Sequence, residues 1–167
     1  MNTFFYWLLK LIRFKQFKCR SLTEGEIQLC QGVFANQIHY ANVRIMNHPF
    51  LPWQAKNVLM APTGYIHVRN LLYKTDYSLE SESYRALFIH EMTHIYQHQL
   101  GIAVLLKGAL LQSAYFLSFK RYDPYRYTFK AGKSFWDYNI EQQGDIARDI
   151  YLKKIPNIIL KQTISHS

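Results

Sequence analysis

Cysteine is scarce in this chain. Only Cys19 and Cys30 occur in 167 residues, too few for a disulfide-built scaffold, and neither has a partner at CxxC spacing. They read as buried or free thiols, bridged only if the chain reaches an oxidising compartment. Acid is also in short supply, with 11 Asp and Glu against 20 Lys and Arg, a net charge of +9. Such a field favours nucleic acid, anionic membrane or anionic cell-wall polymer as neighbours. The basic residues are nevertheless spread along the chain, with clusters at Lys10, Arg13, Lys15, Lys18, Arg20 and at Lys153, Lys154. No DNA or RNA recognition motif accompanies them, so no specific nucleic-acid partner is expected. Repeats and low-complexity stretches are missing as well. At this length, with 49% hydrophobic residues, the chain has material for one domain with a real core and not for two.

Long uninterrupted apolar runs are absent. Phe4-Phe5-Tyr6-Trp7-Leu8-Leu9 starts like the core of a signal peptide, but Lys10 and Arg13 break it, no basic residue precedes it and no small-x-small site follows, which argues against a Sec leader. Its apolar positions, set against Lys10, Arg13, Lys15 and Lys18, predict a basic amphipathic helix over 1–20 able to touch a membrane surface, a partner or the protein's own core. Ile102 to Phe119 is the most apolar segment, yet Lys107, Gly108, Gln112 and Ser113 interrupt it. It reads as a buried helix rather than a membrane span.

What is present organises the rest. Ser21 or Thr23 caps a helix running to about Phe34, with Glu24 and Glu26 at its positive end. Val43-Arg44-Ile45 reads as a strand. Asn57 to Ala61, the turn Pro62-Thr63-Gly64, and Tyr65 to Arg69 read as a hairpin. Two prolines make His48 to Trp53 a loop. Ser81-Glu82-Ser83 opens a long helix with apolar residues at helical spacing that Gly101 ends. A loop over Arg121 to Lys133 leads to a last helix from about Phe135 to about Lys154. The order predicts a single α+β domain, divided as a helix over 1–20, a catalytic domain over 21–155 and a tail over 156–167.

Inside the long helix stands His90-Glu91-Met92-Thr93-His94, an HExxH pattern. Positions i and i+4 share a helix face, so both imidazoles can reach one metal ion with Glu91 beside it as general base. A catalytic zinc wants a third protein ligand and an open position. The candidates are His98, one of Asp123 or Asp137, and Glu141. His98 continues the spacing, but each step of four rises about 6 Å, so it lies about 12 Å from His90 along a straight helix. Its better roles are supporting a ligand, facing substrate or merely standing exposed. Gln97 and Leu100 occupy the places where a metzincin carries Gly and its third His. Glu141 and Asp145 lie four apart on one predicted helix face. One can bind Zn2+ while the other accepts the free ring N–H of a ligand His, which is the gluzincin arrangement. Gly144 between them costs about 1 kcal/mol against Ala, understandable if another helix must approach closely there.

The expected chemistry is hydrolysis of a peptide or amide bond, with Glu91 taking a proton from water and delivering it to the leaving amine. A Tyr or His in Arg121 to Tyr138 is expected to steady the oxyanion. Tyr65 and His67, on a strand whose edge could pair with an extended peptide, are candidate substrate-facing residues.

Several stretches together resemble a known family. Leu22 to Glu26, Val43 to Ile45, Asn57 to Gly64, Leu87 to Gln97 and Tyr138 to Gln143 are similar to the small Vgr-related (VgrG/Rhs-associated) zinc metallopeptidases of bacteria. They also resemble the metallopeptidase domain fused to some type VI secretion VgrG spike proteins. The resemblance spans roughly residues 21 to 152. It implies a zincin-like fold, a site of His90, Glu91, His94 and Glu141, and an antibacterial effector made in the cytoplasm and secreted to a rival's periplasm. Its partners would be a peptide or protein substrate, the VgrG spike and a cognate immunity protein. Two other readings are kept: a catalytically quiet, zinc-stabilised adaptor or chaperone of the spike, and, from the +9 charge, a SprT-like protease acting near DNA. No role follows from the sequence for Gln97 or Gln143.

Overall fold

The computed structural model describes residues 18–160. The described residues form a mixed α+β domain with four helices and a three-stranded sheet: β1 (Cys19–Ser21), α1 (Glu24–Phe34), β2 (Arg44–Met46), β3 (Tyr65–His67), α2 (Glu82–Gln99), α3 (Val104–Leu117) and α4 (Ile140–Tyr151). β1 runs antiparallel to β2, with Arg20 opposite Ile45, and β3 runs parallel to β2, with Ile66 opposite Ile45. The helical reading of 1–20 lies outside the described residues apart from its last three. Of these, Cys19 and Arg20 are strand rather than helix.

Contacts with α1 hold that strand in place. Thr23 caps α1 in a capping box with Glu26, and the Glu26 carboxylate, fully buried, also accepts from the Arg20 guanidinium at 2.7 and 2.8 Å. The backbone N–H of Tyr77 donates to it at 2.8 Å. A buried charge survives only when so paired, and here it ties β1, α1 and the turn at Tyr77–Leu79 into one corner. Tyr77 in turn stacks on Phe88 of α2 at 5.1 Å.

The expected hairpin is largely absent. Asn57 to Ala61 contributes one antiparallel bridge, Met60 with His67, and the Val58 groups that would extend it are engaged elsewhere, its N–H by the Ala55 carbonyl and its carbonyl by the Gln54 side chain. The Gln54 Nε2 donates to the carbonyls of Val58 and His67 at 2.9 and 3.1 Å. The core lies between the sheet and α2, where Ile45, Ile66, Phe88, Ile89, Met92 and Ile95 are wholly buried.

Two helices differ from expectation. The Phe135 helix is split: Phe135–Asp137 is a 3-10 turn closed by Ser134, and α4 starts afresh where Asn139 caps the N–H groups of Glu141 and Gln142. The segment read as a buried helix forms α3, but only Val104 of it is buried. Leu105, Leu106, Leu110, Phe116 and Leu117 are 46–81% exposed. Apolar content predicted burial, yet α3 covers just one side of the domain, and among the described residues nothing lies over its outer face.

Candidate metal centre

α2 and α4 pack together, and their contact builds the site. His90 and His94 lie one turn apart on α2, their rings 5.1 Å apart and steeply inclined. Gly144 of α4 lets the helices meet, since a Cβ there would fall 2.6–2.8 Å from three atoms of the His90 ring. The close approach brings Glu141 Oε2 to 3.7 Å from His90 Nε2 and to 3.7 Å from His94 Nε2. The three ligand atoms all lie within 4.8 Å of one another.

Each histidine is held from behind. Asp145 Oδ1 lies 3.1 Å from His90 Nδ1, and the Arg148 guanidinium holds that carboxylate at 2.6 Å. His94 Nδ1 lies 2.9 Å from Gln97 Oε1. The orientation of Gln97 is set by its neighbours. Its Nε2 donates to the Ile140 carbonyl at 3.0 Å and to Gln143 Oε1 at 2.8 Å, while Gln143 Nε2 donates to the Tyr138 carbonyl at 2.8 Å. The amide oxygen of Gln97 must therefore face His94 and accept its Nδ1–H, which leaves the His94 Nε2 lone pair pointing inward.

A zinc-type ion fits this donor set. Two imidazole nitrogens and a carboxylate oxygen are a common catalytic set. Separations of 3.7 Å exceed a direct hydrogen bond, about 2.7–3.2 Å, and are close to the roughly 3.4 Å between donors bound tetrahedrally at about 2.0–2.2 Å. Charge points the same way. Burial pushes the His90 pKa down, but the hydrogen bond to Asp145 and the nearby Glu141 and Glu91 carboxylates overcome it and hold it at about 10. The pocket thus gathers enough negative charge to favour a cation beside His90. Burial likewise opposes ionisation of Glu141, yet His90 and His94 bring its pKa below the usual range. Glu91, 5% exposed, has its pKa raised by burial against the pull of His94 and His90, with Glu141 adding to the rise.

No protein-family model matches the sequence. Individual proteins do. The chain is 46% identical to a solved structure, the effector domain of Pseudomonas aeruginosa VgrG2b, with a TM-score of 0.75 over 87% of this chain and 80% of that one. The chain belongs to the VgrG2b effector-domain family. It is also 50% identical over 136 residues to the type VI secretion system spike protein VgrG2b of Pseudomonas aeruginosa. That match takes in 81% of this chain and 13% of the spike protein, so the chain spans a small part of its relative's length.

The other sequence candidates sit elsewhere. His98 is exposed and covers Gly64, where a Cβ would fall 2.8 Å from the ring's Cδ2 and where φ is +85°. Tyr65 is 41% exposed on β3, and His67 packs edge-on against Phe50 at 5.3 Å. Among the described residues none of the three shares a hydrogen bond or ion pair with the cluster. Asp123 and Asp137 serve local turns, accepting from the N–H groups of Tyr125 and Ser134. Of the tyrosines in the 121–138 loop, Tyr127 bonds Asp149 and Tyr138 accepts from Lys130 N–H. The Tyr125 hydroxyl is held by Gln112 at 2.6 Å, and its pKa is raised by burial and then by the Glu141 charge. Sequence reasoning missed Gln97 and Gln143. The available signal was position: Gln97 lies three residues after His94 and Gln143 two after Glu141.

Proposed function

We propose that this chain is a zinc-dependent metallopeptidase of gluzincin type, carried as an antibacterial effector by a type VI secretion system. The convergence of His90 Nε2, His94 Nε2 and Glu141 Oε2 on one point, with each ring fixed from behind by Asp145 or Gln97, carries the reading. When bound by these three residues, zinc supplies Lewis acidity toward water and a substrate carbonyl. The protein's own groups do the rest. Glu91, on the same helix turn, accepts a proton from water and returns it to the leaving amine. Burial raises its pKa, which helps it hold the proton it takes until the amine receives it. Asp145 and Gln97 keep the two histidines in the tautomer that presents Nε2. The Tyr125 hydroxyl, on turning away from the Gln112 amide oxygen, donates to the oxyanion as it develops.

The substrate is a polypeptide or cell-wall peptide in the periplasm of a rival cell, and a spike protein and an immunity protein are the partners. This setting is supported by membership in a family whose named relative is a type VI spike protein. The deciding experiment compares wild type with Glu91→Gln, each directed to a bacterial periplasm and each incubated with a peptide library. Growth arrest and cleavage by the wild type, both lost in a Glu91→Gln protein that still binds one zinc, are expected. Equal toxicity of the two proteins, or no cleavage by either, would sink the enzyme reading in favour of a zinc-stabilised adaptor.

A further inference from the structure

An amphipathic helix on a soluble domain turns its polar side outward; α3 does the reverse. Its exposed positions Leu105, Leu106, Leu110, Phe116 and Leu117 fall on one side of about 21 Å of helix, and Phe119 beyond its end is 88% exposed. Ser113 is the polar residue on that side. A contiguous apolar stripe of this extent marks a contact surface.

Its surroundings say what the contact is with. From 100 to 136 the chain carries six basic residues, Lys107, Lys120, Arg121, Arg126, Lys130 and Lys133, and one acid, Asp123. The same stretch holds Tyr115, Tyr122 and Trp136, aromatics of the type that settle at the headgroup level. Lys107 on α3 and Lys120 and Arg121 just beyond it are exposed; a second copy would set the same cations against these, and like charges repel. Anionic headgroups complement them while acyl chains receive the leucines. No helix among the described residues is long and apolar enough to cross a membrane, so the contact is peripheral.

We propose that the outer face of α3 docks on an anionic phospholipid surface, with Leu106, Leu110, Leu117 and Phe119 entering the headgroup boundary and Lys107, Lys120 and Arg121 lying against the phosphates. Gly108, on the inner side of α3, would carry a Cβ only 3.8 Å from Glu141 Oε1, so docking sets the metal centre one helix thickness from the lipid. Polypeptides emerging from a membrane become the favoured substrates, a consequence that rests on the hydrolase reading, whereas the docking itself does not.

The test is co-sedimentation of the full chain, in chelator so that no hydrolysis enters, with vesicles of phosphatidylglycerol and phosphatidylethanolamine or of phosphatidylcholine alone. Wild type should pellet with the anionic vesicles, at least about tenfold more weakly with the neutral ones, and release in high salt. Leu106→Glu/Leu110→Glu and Leu117→Glu/Phe119→Glu alter side chains that are 60–88% exposed. Each should lose at least about tenfold in binding with unchanged thermal melting. Variants that pellet like wild type would overturn the proposal, as would a wild type that pellets with neither vesicle. Two further results would do the same: loss of binding in Trp7→Glu/Leu8→Glu but not in the α3 variants, or a wild-type dimer that the α3 changes dissolve without any vesicle binding.

Discussion

Replacing Gly144 by alanine sets two effects of known size against each other. In an ordinary helix interior the change stabilises by about 1 kcal/mol through propensity. Here the new Cβ would stand 2.6 Å from His90 Cε1 and 2.8 Å from both ring nitrogens, well inside the roughly 3.5–4.0 Å of favourable contact. The ring has little freedom to yield, because Asp145 holds its Nδ1 at 3.1 Å and Glu141 faces its Nε2. Either the ring turns and leaves the cluster or α2 and α4 move apart, an overpacking cost of about 1–3 kcal/mol. The sum is a destabilisation of about 0–2 kcal/mol, or roughly 0–8 °C in Tm for a domain of this size. Zinc affinity should fall at least about tenfold, because a ligand is misplaced. Melting in chelator and competition with a fluorescent zinc chelator measure the two quantities separately. A Gly144→Ala protein that melts higher than wild type and binds zinc equally well would show that the close approach of α4 to His90 has no structural consequence.

Gln97→Ala removes the acceptor on His94 and leaves the Ile140 carbonyl and Gln143 Oε1 without their donor. A loss of about 1–3 kcal/mol in stability and of about 10–100-fold in zinc affinity is expected from melting and titration; no change in either would remove Gln97 from the site. Tyr125→Phe should lower kcat by up to about 10²–10³ with KM and zinc content held, whereas a change in KM alone would make Tyr125 a binding group. The metal-free protein should lose stability as pH rises. His90 is held at about 10, above its ordinary 6.5, so its contribution is complete below about 6.5 and is lost as pH climbs toward 10. Zinc must displace that proton, so the gain in Tm on adding zinc should grow from pH 6 to pH 9. A chelated protein whose Tm is flat or rising from pH 7 to pH 10 would contradict this.

The parts of the site legible in the sequence are those set by helix periodicity. His90 and His94 announce a shared face by their spacing, as do Glu141 and Asp145, and Gly144 between two acids hints at a close neighbour that the structure identifies as the His90 ring. Gln97 and Gln143 were illegible because an amide can serve many partners, and their own hydrogen bond joins positions 46 residues apart. β1 escaped notice because Cys19-Arg20-Ser21 has no apolar alternation; it is a strand by virtue of its pairing with β2 and the Arg20–Glu26 ion pair. The second arm of the hairpin stops at Met60 because local partners, the Ala55 carbonyl and the Gln54 side chain, engage the N–H and carbonyl of Val58. α3 shows the limit of patterning most clearly. Periodicity reveals an apolar face but not whether protein or something outside the protein covers it.

Anomalous diffraction at the zinc absorption edge, from crystals of the zinc-loaded protein, tests the central claim most directly. One peak about 2.0–2.2 Å from His90 Nε2, His94 Nε2 and Glu141 Oε2, with Glu91 beside it and not bound, is the predicted result. No peak at this cluster, or a peak whose third protein ligand is a residue other than Glu141, would contradict it.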